Sequence, residues 1–185
     1  MAFAPNFDRA MKRILEKEAP SYIWKTGWSA GGERWKVDLT GHPSSERRPL
    51  VLIEVELKRD DPAGNVIKIW RWARLAKSPQ GVLFIQAFSK HYWQTKIRQR
   101  VRAIFVGERM MEDRKLSIDY KWERMKFRPK MVPGQRTKEG AGRMVHAAQL
   151  LANRIARMVP WPEVSTARFC GYDLIRITPS PIVFR

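Results

Sequence analysis

The sequence predicts an α/β fold in which a mixed central β-sheet is flanked by helices. Two observations carry that expectation. Over residues 7–120 the apolar periodicity changes in the order helix, strand, strand, strand, helix, strand, helix, strand, the pattern of a sheet with helices on its faces. The chain has 185 residues and 44% hydrophobic content, enough for one full core with an appendage.

Each element has its own signal. Phe7, Ala10, Met11, Ile14 and Leu15 form a helical stripe over 7–18, and Ala19-Pro20 ends it. Glu18 falls on the same stripe, either as a solvated acid in the last turn or as an inward one. Tyr22 to Trp28 is aromatic and extended, and Ser29-Ala30-Gly31-Gly32 reads as a turn. Trp35, Val37 and Leu39 then alternate with Lys36, Asp38 and Thr40, completing a hairpin. Gly41-His42-Pro43-Ser44-Ser45 reads as a loop, with His42 a loop histidine. A strand follows at 50–58. Asn65 is expected to cap a helix from Val66 to about Lys77, with Lys68 as a solvated helix lysine. Val82 to Phe88 is a short apolar strand, 90–112 one long helix, and Leu116 to Tyr120 another strand. Beyond 126 a basic loop rich in Pro and Gly leads to a helix at 139–158 and a short strand near 174–177. The expected division is a core at 1–125 and a basic C-terminal helical extension at 126–185.

The strand at 50–58 holds the most chemistry. In Leu50-Val51-Leu52-Ile53-Glu54-Val55-Glu56-Leu57-Lys58, side chains alternate between two faces. Val51, Ile53, Val55 and Leu57 make one face wholly apolar. Glu54, Glu56 and Lys58 share the other with Leu50 and Leu52. Burying two acids and an ammonium needs partners. One alternative is an edge strand whose charged face guards against aggregation. The other is a site. Asp38 sits on the neighbouring strand, and adjacent strands lie about 4.8 Å apart. Carboxylates from the two strands can converge on one Mg²⁺, which takes hard oxygen ligands. Such an ion activates water and neutralises charge on a phosphoryl group. Lys58 or Glu56 would hold or deprotonate that water.

Asp38 followed by Glu56-Leu57-Lys58 on the next strand resembles the PD-(D/E)XK nuclease superfamily, and the element order around it is similar. The resemblance covers residues 7–120. It implies a restriction-endonuclease-like core, Mg²⁺ (or Mn²⁺) as cofactor, DNA as substrate and a catalytic role for Asp38, Glu54, Glu56 and Lys58. It also implies an acid from the first helix as a further ligand, Glu18 rather than Glu16, beside Asp38 and Glu54 or Glu56. Two registers stay open. Glu56-x-Lys58 matches the standard motif. Glu54-x-Glu56, narrowly preferred, resembles a variant with Glu in place of the Lys. Val37 stands where the family name has proline.

The charge points the same way. Lys plus Arg number 36 against 18 Asp plus Glu, a net charge of +18 that favours a polyanion partner, nucleic acid first. Lys90, Lys96, Arg98, Arg100 and Arg102 crowd the start of the long helix, and Arg136 and Lys138 follow in the basic loop. These are the expected phosphate contacts. A basic nucleic-acid-binding protein without catalysis is the alternative. Homodimerisation fits a double-strand cutter. No phosphate-binding GxxxxGK loop occurs, which argues against an NTPase. His42, His91 and His146 have no zinc spacing with Cys170. One cysteine fits a reducing cytoplasm, and no secretory signal or membrane segment is expected.

Overall fold

The computed structural model describes residues 3–29, 35–44, 48–58, 60–76, 81–127 and 138–160. The order is α1 (Phe3–Glu18), β1 (Tyr22–Trp28), β2 (Val37–Pro43), β3 (Val51–Glu56), α2 (Pro62–Ala76), β4 (Val82–Phe88), α3 (Lys90–Gln94), α4 (Ile97–Met111), β5 (Ile118–Arg124) and α5 (Lys138–Ala156). The strands form one mixed sheet in sequence order, β1-β2-β3-β4-β5. The first two pairings are antiparallel and the last two parallel. The fold is therefore α/β, with helices on both faces of a five-stranded sheet. Among the described residues no helix is long and apolar enough to cross a membrane.

The two faces bury different sets of side chains. Val51, Ile53, Val55, Leu83, Ile85 and Ala87 pack against Phe7, Met11 and Leu15 of α1 and Ala148, Leu151 and Ile155 of α5. The stripe read in the first helix is thus its buried face. Leu52, Phe84 and Tyr120 pack on the other face against Val66 and Ile69 of α2 and Met110 of α4. Parallel strands covered on both sides read as continuous apolar runs, as β4 does. Each fully buried Leu, Ile, Phe or Met side chain contributes about 1.5–3 kcal/mol. Both parallel crossovers step the same way along the sheet, so right-handed connections carry α2 and α4 to one face.

Several boundaries differ from expectation, each for a local reason. Asn65 does not cap the second helix. Pro62 occupies the first helical position, where its missing N–H costs nothing, and Asp61 Oδ1 accepts the Gly64 N–H at 3.2 Å. Residues 90–112 form two helices. The Lys96 backbone leaves the helical region (φ −114°, ψ 46°). This break lets α3 stay tied to the end of the sheet, through Lys90 N–H to Phe127 O, while α4 runs back over β5. The last sheet strand begins at Ile118 rather than Leu116. His42 lies within β2 and is buried, not in a loop, with its Nε2 3.0 Å from Thr40 Oγ1. The third strand ends at Glu56, so Lys58 lies in the bend beyond it. The turn over 30–32, the basic loop before α5 and the expected strand at 174–177 lie outside the described residues.

α4 crosses β5 closely at Gly107. A Cβ built there would sit 2.2 Å from the Tyr120 ring. Helix propensity alone makes Gly→Ala favourable by roughly 0.5–1 kcal/mol. Overpacking a rigid ring costs about 1–3 kcal/mol, so the clash decides the sign. Gly107→Ala should lower the unfolding midpoint in a thermal melt; an unchanged or raised midpoint would show that Tyr120 yields freely.

Candidate active site

The candidate site lies where β2 and β3 part, at the carboxyl ends of the parallel strands. The β2–β3 ladder runs from Gly41↔Val51 to Leu39↔Ile53 and stops. The Val55 N–H then donates to Asp38 Oδ2 at 2.8 Å. Asp38 therefore replaces a ladder carbonyl and points along the sheet plane, beside the backbone of Glu54 and Val55.

Its orientation comes from a slip in both β1 and β2. Tyr22 and Trp24 pack on the α1/α5 side, but Trp28 packs on the α2/α4 side against Trp72 and His42. Leu39 and Val37 divide between the same two sides. Both strands thus change face between the Thr26↔Leu39 and Trp28↔Val37 pairs. Gly27, at φ +64°, supplies the left-handed backbone that the change needs. Strict alternation placed Asp38 on a sheet face with the glutamates. The slip instead turns it sideways, toward β3.

Glu54 and Glu56 point to the α2/α4 side and are buried, at 1% and 0% exposure. This removes the alternative of a solvent-facing charged edge, because β3 is a central strand. Glu56 Oε1 accepts two hydrogen bonds at 2.8 Å, from Asn65 Nδ2 on α2 and from Gln86 Nε2 on β4. Gln86 Nε2 also donates to Pro62 O at 2.8 Å, and Gln86 Oε1 accepts the Tyr120 hydroxyl at 3.0 Å. Lys68 Nζ donates to Asn65 Oδ1 at 3.3 Å. The result is a chain of contacts, Lys68–Asn65–Glu56–Gln86–Tyr120, through the middle of the sheet. Amide donors on a carboxylate offset the desolvation that burial imposes.

The remaining expected residues divide clearly. Lys58 is exposed beyond the strand end. Glu18 does not join the group. It is exposed in the last turn of α1, close to the start of β1, and Tyr22 pairs with Pro43 at the opposite end of β2 from Asp38. The solvated-last-turn reading of Glu18 is the one the geometry matches. Glu16 is also exposed and pairs with Lys12 at 2.5 Å. Lys90, Arg98 and Arg102 are exposed. Lys96 is ion-paired to Asp60, and this bond holds the Asp60 carboxyl below its usual range. Arg100 lies against the Trp93 ring. Arg136 and the Lys138 side chain lie outside the described residues. Among the described residues no three His, Cys, Asp or Glu side chains are gathered into a ready-made cation cage.

Sequence reading missed Gln86, Tyr120 and the inward role of Asn65, and took Lys68 for a solvated lysine although it is half-buried against Asn65. A signal for Gln86 was present. It is the single polar residue in Val82-Leu83-Phe84-Ile85-Gln86-Ala87-Phe88, and a buried amide implies a buried partner.

The Tyr120 hydroxyl gives the network a pH signature. Burial, then the Glu56 carboxylate, then Glu108, push its pKa well above the ordinary phenol value of 10.0. Below pH 10 the phenol is protonated in both states and its contribution is intact. Above it, the unfolded chain releases a proton that the folded chain keeps, so stability falls as pH rises. Urea midpoints of the wild type should drop more between pH 9 and 11 than those of Tyr120→Phe; parallel curves would mean that the phenol is not buried.

Comparison of the chain with protein-family models, with curated proteins and with solved structures finds no match.

Proposed function

We propose that the protein is a metal-dependent endonuclease that hydrolyses DNA phosphodiester bonds, with a restriction-endonuclease-like core. One observation carries this reading. Two acids on a central strand are buried at the carboxyl end of the sheet, and a third carboxylate, Asp38, accepts the backbone N–H of Val55 between them at the fork of β2 and β3. An acid buried at such a fork is costly for stability alone.

The donor set suits Mg²⁺, which is commonly held by one or two carboxylates, with waters and substrate phosphates completing its shell. Asp38 and Glu54 are the two that would hold it. The bound ion would supply a water of lowered pKa and would neutralise charge on the phosphoryl oxygens. Glu56 is held through Oε1 by Asn65 and Gln86. Its position favours the Glu54-x-Glu56 register, in which it orients the water. Lys58, outside the strand, serves as a phosphate contact at the rim. Lys68 is one amide away from Glu56 and brings a cation to the side of the site that α2 covers. The net charge of +18 draws the polyanion in.

A second reading has its own observation. Glu56 is already met by two amide donors, as a purely structural acid would be. The protein would then bind nucleic acid without cutting it.

Nicking of supercoiled plasmid separates the two. The wild type should cut with Mg²⁺ or Mn²⁺ and lose all activity in EDTA. Asp38→Asn and Glu54→Gln should each reduce the rate by at least about 10²-fold, the scale of a lost catalytic group. Both should still bind DNA. Wild-type protein that binds plasmid, single-stranded and branched DNA but cuts none of them with any divalent ion would sink the nuclease reading and leave the binder.

A further inference from the structure

A second group of side chains lies on the same face of the sheet as the carboxylates, two strands away. Register puts Glu54 beside Gln86 and Gln86 beside Trp122; one level on, Glu56, Phe88 and Arg124 align in the same way. Two strand spacings make about 10 Å. Trp122 and Arg124 meet two residues of the helices that cover this end. The Arg100 guanidinium lies 3.7 Å from the centre of the Trp93 ring, and that of Arg124 lies 4.7 Å from it. The Trp93 and Trp122 ring centres are 5.7 Å apart.

Two like charges thus share one indole. Cation–π attraction holds each of them, but among the described residues no acid neutralises them. Among the described residues neither guanidinium is paired with a carboxylate; the adjacent acid, Glu123, is taken by Arg154 at 2.9 Å. Arg100 Nε is buried without a hydrogen-bond partner. Burial and the charge of Arg124 both work against the Arg100 cation, yet a guanidinium does not deprotonate. An anion set against the pair relieves that repulsion, and guanidinium matches phosphate through paired N–H donors. Among the described residues β5 is the last strand of the sheet, and Trp122 on it keeps 43% of its surface exposed beside the two cations.

We infer that Arg100, Arg124, Trp93 and Trp122 form a subsite for single-stranded nucleic acid, with one phosphate held by the two guanidiniums and a neighbouring unpaired base stacked on Trp122. A duplex keeps its bases stacked on each other and offers no free face to an indole; a frayed or single strand does. The inference rests on the reading above for the class of ligand. The subsite stands at the β5 edge of the sheet, and Gln86 and Phe88, which separate it from the carboxylates, are fully buried.

The test is binding of a fluorescent single-stranded oligodeoxynucleotide to the full chain in EDTA, read by anisotropy over a salt series. Without metal no cleavage occurs, so this result and the nicking result fail independently. Trp122→Ala should bind roughly tenfold more weakly or worse, Trp122→Phe close to wild type, and both should melt as the wild type does. Arg124→Gln should weaken binding and flatten the slope of log affinity against log salt by about 0.7, the loss of one phosphate contact. On an oligonucleotide with abasic sites the Trp122→Ala defect should vanish. Wild-type affinity and salt slope in both Trp122→Ala and Arg124→Gln would overturn the subsite. A Trp122→Ala defect that persists on the abasic strand would overturn the stacked base. A wild type that binds blunt duplex more tightly than single strand would overturn the single-strand preference.

Discussion

The hydrogen bonds that Asn65 and Gln86 make to Glu56 constrain the whole centre of the molecule. A fully buried carboxylate is tolerable only where donors replace its water, and here one donor comes from α2 and the other from β4. Gln86 must present its NH₂ to Glu56 and to Pro62 O, which leaves its oxygen for a donor on β5; Tyr120 is that donor. Three parallel strands and the first turns of α2 are thereby fixed relative to one another by a chain of directional contacts. Apolar packing alone would leave strand register less tightly defined, since one buried aliphatic can replace another with little loss. The polar chain cannot slide by a residue without exposing a charge to the core.

That rigidity decides what the Asp38 fork can be. β2 leaves β3 just where the acids begin, and the open amide of Val55 is met by a side chain rather than by a strand. Strands in a continuous sheet fill the space between them with their own ladder. A fork ends that ladder, and here it ends with Asp38 on the Val55 N–H, one residue along β3 from each of two buried acids. Gly27 and the face change it permits are part of the same device, because they turn Asp38 into the plane. Under the nuclease reading, such fixed acids would spare the site the cost of ordering its own groups when an ion binds.

Much of this was legible in the sequence. The largely apolar run of Val51 to Val55 and that of Val82 to Phe88 define central strands, and the i, i+4 spacing of Phe7, Met11 and Leu15 defines a buried helix face. Where expectation missed, the cause was a side chain serving a distant partner. Asn65 looks like a cap in a local window, but Asp61-Pro62 begins the helix and frees Asn65 for Glu56, nine residues back. The slip at Asp38 is invisible to a rule of period two, because two strands change face together and neither shows it alone. The split of residues 90–112 has no Pro or Gly to announce it; it arises because α3 is tied to Phe127 while α4 must cross Tyr120. Glu18 joined the expected ligands through helical periodicity and the resemblance, but which end of β1 a helix meets is a matter of topology.

The charge carries a similar lesson. A net excess of +18 says that a polyanion is favoured, but it does not say where it sits. Several cations are spent inside the protein: Lys96 on Asp60, Arg74 on Asp113, Arg154 on Glu123, Arg109 on Glu112. Each such pair removes a candidate phosphate contact, and exposed pairs of this kind add little stability. Arg100 and Arg124 behave oppositely. They are brought together over one indole in place of an acid, and Arg100 is partly desolvated. A protein that needed these charges only for solubility would leave them apart in water, where repulsion is screened over about 8–10 Å. Holding them together over one indole at the β5 edge of the sheet makes sense for the inferred subsite, where a phosphate would bring the counter-charge.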